Sequence, residues 1–200
     1  MPTVEIVRFP GSDEFVADNL VFKDCLSKLV KSEGCIGVYY GIQIEDNRSG
    51  YLFVIWETYD HHMKFTKHES YPAAIASLAR AQAGPMDVQH VDFDEDAAIA
   101  LGAPVTEVVT LEPKSAADKE ARSLSVTKLK EKMILQESCH SFTTGESREK
   151  KGTNFVLVGW DSVQAHYDVV EGGVFPEMIK NLHMVNEIEL KHTKLTKYTE

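Results

Sequence analysis

The sequence predicts an α+β protein made of two β-α-β-β-α-β units in tandem. Three observations carry that expectation: an internal repeat, the order of periodic segments within each copy, and hairpin strands that are apolar on both faces. The repeat is clearest at Trp56-Glu57-Thr58, echoed 104 positions later by Trp160-Asp161-Ser162. The same spacing relates Glu33 to Glu137, Cys35 to Cys139, Gly41 to Gly145, Glu45 to Glu149 and His62 to His166. It continues through Pro72 and Pro176, Ile75 and Ile179, and Leu78 and Leu182 without a gap. Toward both ends the spacing becomes 102, relating Glu5 to Glu107, Val7 to Val109 and His90 to His192. Trp, Cys, Pro and His held in register are hard to obtain by chance, so the chain is read as a duplication.

In the first copy, Thr3 to Phe9 is short, rich in β-branched residues and stopped by Pro10-Gly11, which reads as a strand. Asp13 to about Lys31 carries Phe15, Leu20, Phe22, Leu26 and Leu29 at mostly three-to-four spacing, an amphipathic helix that Ser12 or Asp13 caps and Gly34 stops. Cys35 to Glu45 and Tyr51 to Glu57 are strands joined by the polar loop Asp46-Asn47-Arg48-Ser49-Gly50. Thr58 is a helix N-cap, and the helical stretch to about Ala83 is expected to break near Ser70-Tyr71-Pro72, because proline suits a first turn and not an interior. Met86 to Phe93 closes the copy as a strand.

The second copy repeats the order: a strand from Val105, a helix over Ala116 to Met133, a hairpin from Ser138 to Trp160, helices from Ser162 and near Pro176, and a last strand from Glu187. The order is ferredoxin-like. The expected organisation is one unit over 1–94, an acidic linker over 95–104 and a second unit over 105–200. Tyr51, Phe53 and Ile55 point one way along their strand and Leu52, Val54 and Trp56 the other, so both sheet faces need cover. The other copy is the expected cover, with two sheets face to face and helices outside, an intramolecular pseudo-dimeric barrel.

The chain of 200 residues has a formal net charge of −10, with the acid excess concentrated in its first half. An acidic balance argues against a nucleic-acid groove or an anionic membrane surface as partner. No apolar run approaches the roughly 20 residues of a membrane span, and the N-terminus lacks the pattern of a signal peptide. Three cysteines in a chain of this length fit a reducing compartment, so a cytoplasmic location is expected.

The β-α-β-β-α-β order, with a strand ending in Trp-acid-Ser/Thr that opens a helix carrying His six residues after the Trp, resembles the dimeric α+β barrel proteins. That group includes the antibiotic-biosynthesis-monooxygenase-like and stress-responsive A/B barrel proteins. The carrying residues are Trp56-Glu57-Thr58 with His62 and Trp160-Asp161-Ser162 with His166. Many members are single units that dimerise through their sheets, which implies that this chain is a fused pair, a monomer or a homodimer of pairs. The resemblance further implies a cofactor-free oxygenase, a cyclase or an isomerase, since fold does not choose among reactions. Haem is not expected. The haem-degrading branch carries a second Trp and a ligating His where this chain has Phe65 and Ile75, or Val169 and Ile179; His183, one turn beyond Ile179, does not match that motif.

His62 and His166 each lie in a first helical turn, where the helix dipole favours the neutral imidazole, and each is a candidate general base. His90 and His192 alternate with apolar residues on the closing strands, so each is expected on the inward face beside a ligand or beside His62 or His166. Trp56, Phe65 and Trp160 are candidate walls of an apolar pocket. Tyr39 and Tyr51 are candidates to orient a substrate oxygen, and because copy two has Thr143 and Phe155 there, copy one is the expected place for polar chemistry. No metal is expected, since HxH, HExxH and CxxC spacings are absent. Cys35 and Cys139 open equivalent strands and read as core residues. The expected function is a small-molecule enzyme without a bound cofactor, acting on an aromatic or polyketide-like substrate with a His base. The alternative from another class is a small-ligand binding or stress-associated protein whose histidines are structural.

Overall fold

A computed structural model describes residues 2–115 and 119–200. The chain forms two compact units, Met1–Asp92 with Thr193–Glu200, and Phe93–His192.

Unit 1 contains β1 (Thr3–Phe9), α1 (Asp13–Ala17), α2 (Lys23–Val30), β2 (Cys35–Gln43), β3 (Gly50–Trp56), α3 (Tyr59–Phe65), α4 (Tyr71–Ala79) and β4 (Asp87–Val91). The strands pair antiparallel in the order β4-β1-β3-β2. Pairing continues from β2 to Thr193–Lys197 of the last strand, with Tyr39 opposite Lys197 and Gln43 opposite Thr193. Alternation sends Val38, Tyr40, Leu52, Val54 and Trp56 onto one face, where they bury Phe22, Leu26 and Leu29 from the first helical segment. That segment is two helices and not the single one that its periodicity suggests. Asp18 is extended, and its carboxylate accepts the Leu20 N–H at 2.9 Å, a local turn that competes with helix continuation. The break before Pro72 lies where the sequence places it.

Unit 2 contains α5 (Ala97–Leu101), β5 (Val105–Pro113), α6 (Lys119–Met133), β6 (Cys139–Glu146), β7 (Asn154–Trp160), α7 (Val163–Val170), α8 (Phe175–Val185) and β8 (Asn186–Lys197), whose last five residues belong to unit 1. Its strand order, β8-β5-β7-β6, repeats that of unit 1. The expected helix start at Ala116 lies outside the described residues. The stretch 95–104, read as a linker, instead holds α5 and is part of unit 2. Ala97, Ala100 and Leu101 are buried, and Gly159 of β7 leaves room for them, since a Cβ there would lie 2.9 Å from the Ala103 Cβ.

Both units are α+β and ferredoxin-like, so the fold is a tandem repeat. The duplication extends to detail. The same irregularity interrupts the pairing between Cys35 and Gly37 as between Cys139 and Ser141. Thr58 caps α3 by accepting the His61 N–H, and Ser162 caps α7 by accepting that of Ala165. Among the described residues no helix is long and apolar enough to cross a membrane.

Candidate active site

In each unit three separate elements bring a carboxylate and two imidazoles together beside the strand tryptophan. Register accounts for this in unit 1: Glu5 on β1 lies directly opposite His90 on β4, while Thr3 lies opposite Trp56, so Glu5 and Trp56 are diagonal neighbours on one face. The Trp56 indole N–H donates to Glu5 Oε2 at 3.0 Å. His62, in the first turn of α3, stacks on Trp56 with ring centroids 5.4 Å apart and places Nε2 3.6 Å from the same carboxylate oxygen. Its Nδ1 is hydrogen-bonded to His90 Nε2 at 2.7 Å.

Unit 2 repeats the arrangement. Val105 lies opposite Trp160, which sets Glu107 diagonal to it, and the indole donates to Glu107 Oε2 at 2.6 Å. His166 Nε2 is 3.7 Å from that oxygen, and Nδ1 is hydrogen-bonded to His192 Nε2 at 2.9 Å. All four histidines are buried, His166 and His192 at 3% and 1% exposure. Burial pushes the Glu107 carboxyl up to about 7 despite the Trp160 hydrogen bond. Burial, reinforced by His192, pulls His166 down to about 4, so its imidazole is neutral at physiological pH.

One donor atom from each side chain of Glu5, His62 and His90 lies within 4.8 Å of the others, and the same holds for Glu107, His166 and His192. Two imidazoles and one carboxylate can hold a divalent transition metal. The sequence lacks local metal spacing because the three donors come from three distant segments. In the structure the paired imidazole nitrogens bond to each other and the carboxylate binds the indole, with the carboxylate and the helix histidine 3.6 and 3.7 Å apart in the two units.

The units differ in what lies beside the trio. In unit 2 an apolar cavity of about 160 Å³ runs between sheet and helices, with Glu107 and His166 on its wall. Val109, Leu111, Val126, Leu129 and Phe142 supply much of the rest, and the exposed His183 also lines it. Unit 1 carries Phe9 and Phe22 at the positions of Leu111 and Val126, and these rings pack edge-on with Phe15 and Tyr40. Larger side chains fill one interior where smaller ones leave space in the other.

The structure does not bring Tyr39 and Tyr51, the tyrosines expected beside His62 in copy one, onto the face that carries His62. Tyr51 stacks on Phe53 at 5.8 Å, and Tyr39 lies opposite Phe53 in the register. Trp56 and His62 are on the other face, because side chains one apart on a strand point in opposite directions. Phe65 packs against Trp56 and Tyr71 as part of the core. His140 is exposed and paired with Asp161 at 2.8 Å. The thiols of Cys25, Cys35 and Cys139 are pushed up by burial, to about 12, 11 and 11, as suits core residues.

Glu5 and Glu107 are the functional candidates that a reading of the histidines misses. The signal was available: each is a carboxylate at the third position of a largely apolar strand, and the two share the 102-residue spacing of His90 and His192. Aromatic neighbours were also missed. Tyr59 meets His90 edge-on at 5.0 Å, and Tyr167 lies against both His166 and His192.

No family model matches the sequence, and no curated protein matches it. Solved structures do. A candidate monooxygenase from Fusobacterium nucleatum superposes over 100% of this chain and 98% of its own with a TM-score of 0.73 at 10% identity. An anthrone oxidase-like protein gives a TM-score of 0.74 at 11% identity, covering 100% of this chain and 94% of its own. A candidate monooxygenase from Lactobacillus acidophilus gives 0.68 at 12% identity, over 99% and 96%. At such identities the likeness is one of fold, and it extends along the whole two-unit chain.

Proposed function

Starting from the antibiotic-biosynthesis-monooxygenase-like fold of the chain, we propose that this protein is a small-molecule enzyme whose working site is the unit 2 cavity. In this reading the Glu107–His166 pair removes a proton from a hydroxyl or an acidic carbon of an aromatic or polyketide-like substrate, as the opening step of an oxygenation or cyclisation. The observation that carries it is the position of two facing ionisable groups on the wall of an otherwise largely apolar cavity. A cavity of this size suits one aromatic ring, since roughly 150 Å³ of apolar space accepts benzene.

The chemistry follows from the arrangement. The hydrogen bond between His166 Nδ1 and His192 fixes the ring; in the tautomer that carries its proton on Nδ1, the Nε2 lone pair faces Glu107 and the cavity. A proton delivered to the pair is shared between an imidazole kept neutral by burial and a carboxylate titrating near 7, so the pair accepts one proton close to neutral pH. That match of basicity to working pH is what general-base catalysis needs. Removing a proton this way requires no bound cofactor.

The size of the cavity directs the substrate search toward hydroxylated single-ring aromatics. Oxygen uptake and product formation with such a panel test the proposal. The expected result is turnover that His166→Ala lowers by roughly 10²-fold or more. Unchanged turnover in that variant would remove His166 from the mechanism. Ligand binding without turnover of any compound would favour the small-ligand carrier instead.

A further inference from the structure

The unit 2 cavity shares part of its wall with a neighbouring cavity. Leu111 and Val126, which line the first, also line this second cavity of about 290 Å³, whose other walls are polar. On β5 the step from Glu107 to Leu111 is four residues, roughly 13 Å along the strand. The second cavity therefore lies a ring and a short chain away from the Glu107–His166 pair. Its walls include Ser123, Thr127, Thr144, Asn154 and Asn186 together with Arg122.

Arg122 is the unusual member. It heads the inward stripe of α6, one turn before Val126 and in line with Leu129 and Met133, and is only 5% exposed. One guanidinium nitrogen donates to the Ser115 carbonyl at 3.2 Å, while the buried Nε has no hydrogen-bond partner. Among the described residues no carboxylate pairs with it. Two acids line the same cavity, but each is engaged elsewhere: Asp94 accepts from Lys130 and from the Thr144 N–H, and Glu146 accepts the Gly152 N–H. A guanidinium withdrawn from water without a counter-ion is costly unless a ligand supplies the anion. The corresponding segment of unit 1, residues 10–34, contains no arginine.

We propose that Arg122 is the anchor for a carboxylate on the substrate, so that the ligand of unit 2 is an aryl compound bearing a carboxylate on a short chain. The ring lies in the apolar cavity toward His166, and the carboxylate accepts from the unpartnered Arg122 Nε–H. This inference rests on the cavity being the working site. In a chain of net charge −10 an anion is otherwise repelled, so this recognition depends on the buried Arg122 guanidinium.

Calorimetric titration of the full chain with 5-phenylpentanoate and with its neutral amide, at pH 8, tests the assignment. The expected result is that the acid binds roughly tenfold tighter or more, as a charge-assisted pair supplies. Arg122→Gln should bring the two affinities together and leave the amide unchanged, while Arg122→Lys keeps part of the preference. If the glutamine variant fails to fold, Arg122→Met, suited to a buried helix face, replaces it. Equal affinities in the unaltered chain, or a preference that survives loss of the guanidinium, overturn the anchor while leaving the cavity reading intact. Binding of neither probe overturns both.

Discussion

The Trp160 indole holds Glu107 at 2.6 Å, and Trp56 holds Glu5 in the same way at 3.0 Å. The strand tryptophan is thus more than a core anchor. It orients the one carboxylate placed to share a proton with the helix histidine, and it does so in both halves of a duplicated chain.

Stability should report the burial of Glu107. Its carboxyl titrates at an ordinary value of 4.5 when unfolded and about 7 when folded, so between those values the native state binds more protons and stability falls as pH rises. His166 acts in the opposite sense: lowered from 6.5 to about 4, it contributes a gain in stability as pH rises through that window. Glu107→Gln removes the first effect and keeps an acceptor for Trp160. Thermal melts should show the variant more stable than the parent by up to roughly 3 kcal/mol at pH 8, with the advantage gone at pH 4. A difference independent of pH would mean that Glu107 does not titrate in the fold.

The two Glu–His–His clusters should differ in consequence. His166→Ala breaks the Glu107–His166 pair beside the cavity, and turnover should fall by roughly 10²-fold or more. His62→Ala makes the equivalent change beside an interior holding Phe9 and Phe22, and turnover by unit 2 should stay within about twofold of the parent. Equal losses from the two substitutions would assign the chemistry to both units.

Filling the cavity should abolish binding without unfolding the chain. Leu111→Phe and Val126→Phe place in unit 2 the side chains that unit 1 carries at Phe9 and Phe22. Affinity for an aromatic probe should drop by at least about tenfold while the melting temperature holds or rises, since occupied space restores packing. Retained affinity would mean that the ligand binds elsewhere.

The thiols should be inert in the folded chain. With Cys25 pushed up to about 12 and Cys35 and Cys139 to about 11, the nucleophilic thiolate is scarce at neutral pH. Reaction with an aromatic disulfide reagent should be slow before denaturation and rapid for three equivalents after it. A fast native phase would mark one cysteine as exposed and activated.

Much of this architecture was legible from residues alone. Duplication, element order, the N-caps Thr58 and Ser162 and the inward placement of His90 and His192 follow from period and spacing, which are local properties of the chain. Tyr51 was legible too. The alternation that separates it from Trp56 is visible in Tyr51-Leu52-Phe53-Val54-Ile55-Trp56, and grouping it with His62 set that rule aside. The break at Asp18 was less so, because a side-chain turn and a helix compete there over only a few residues.

What tertiary structure alone decided is which distant groups meet and where space remains. Strand register, a long-range pairing, sets Glu5 against His90 and places Glu107 diagonal to Trp160, and no local period encodes it. The cavity in unit 2 and its filled counterpart in unit 1 depend on summed side-chain volumes at contacts far apart in sequence, such as Leu111 with Val126 and Phe9 with Phe22. The chain determined two copies of one fold, and packing decided that a cavity opens beside the Glu107–His166 pair.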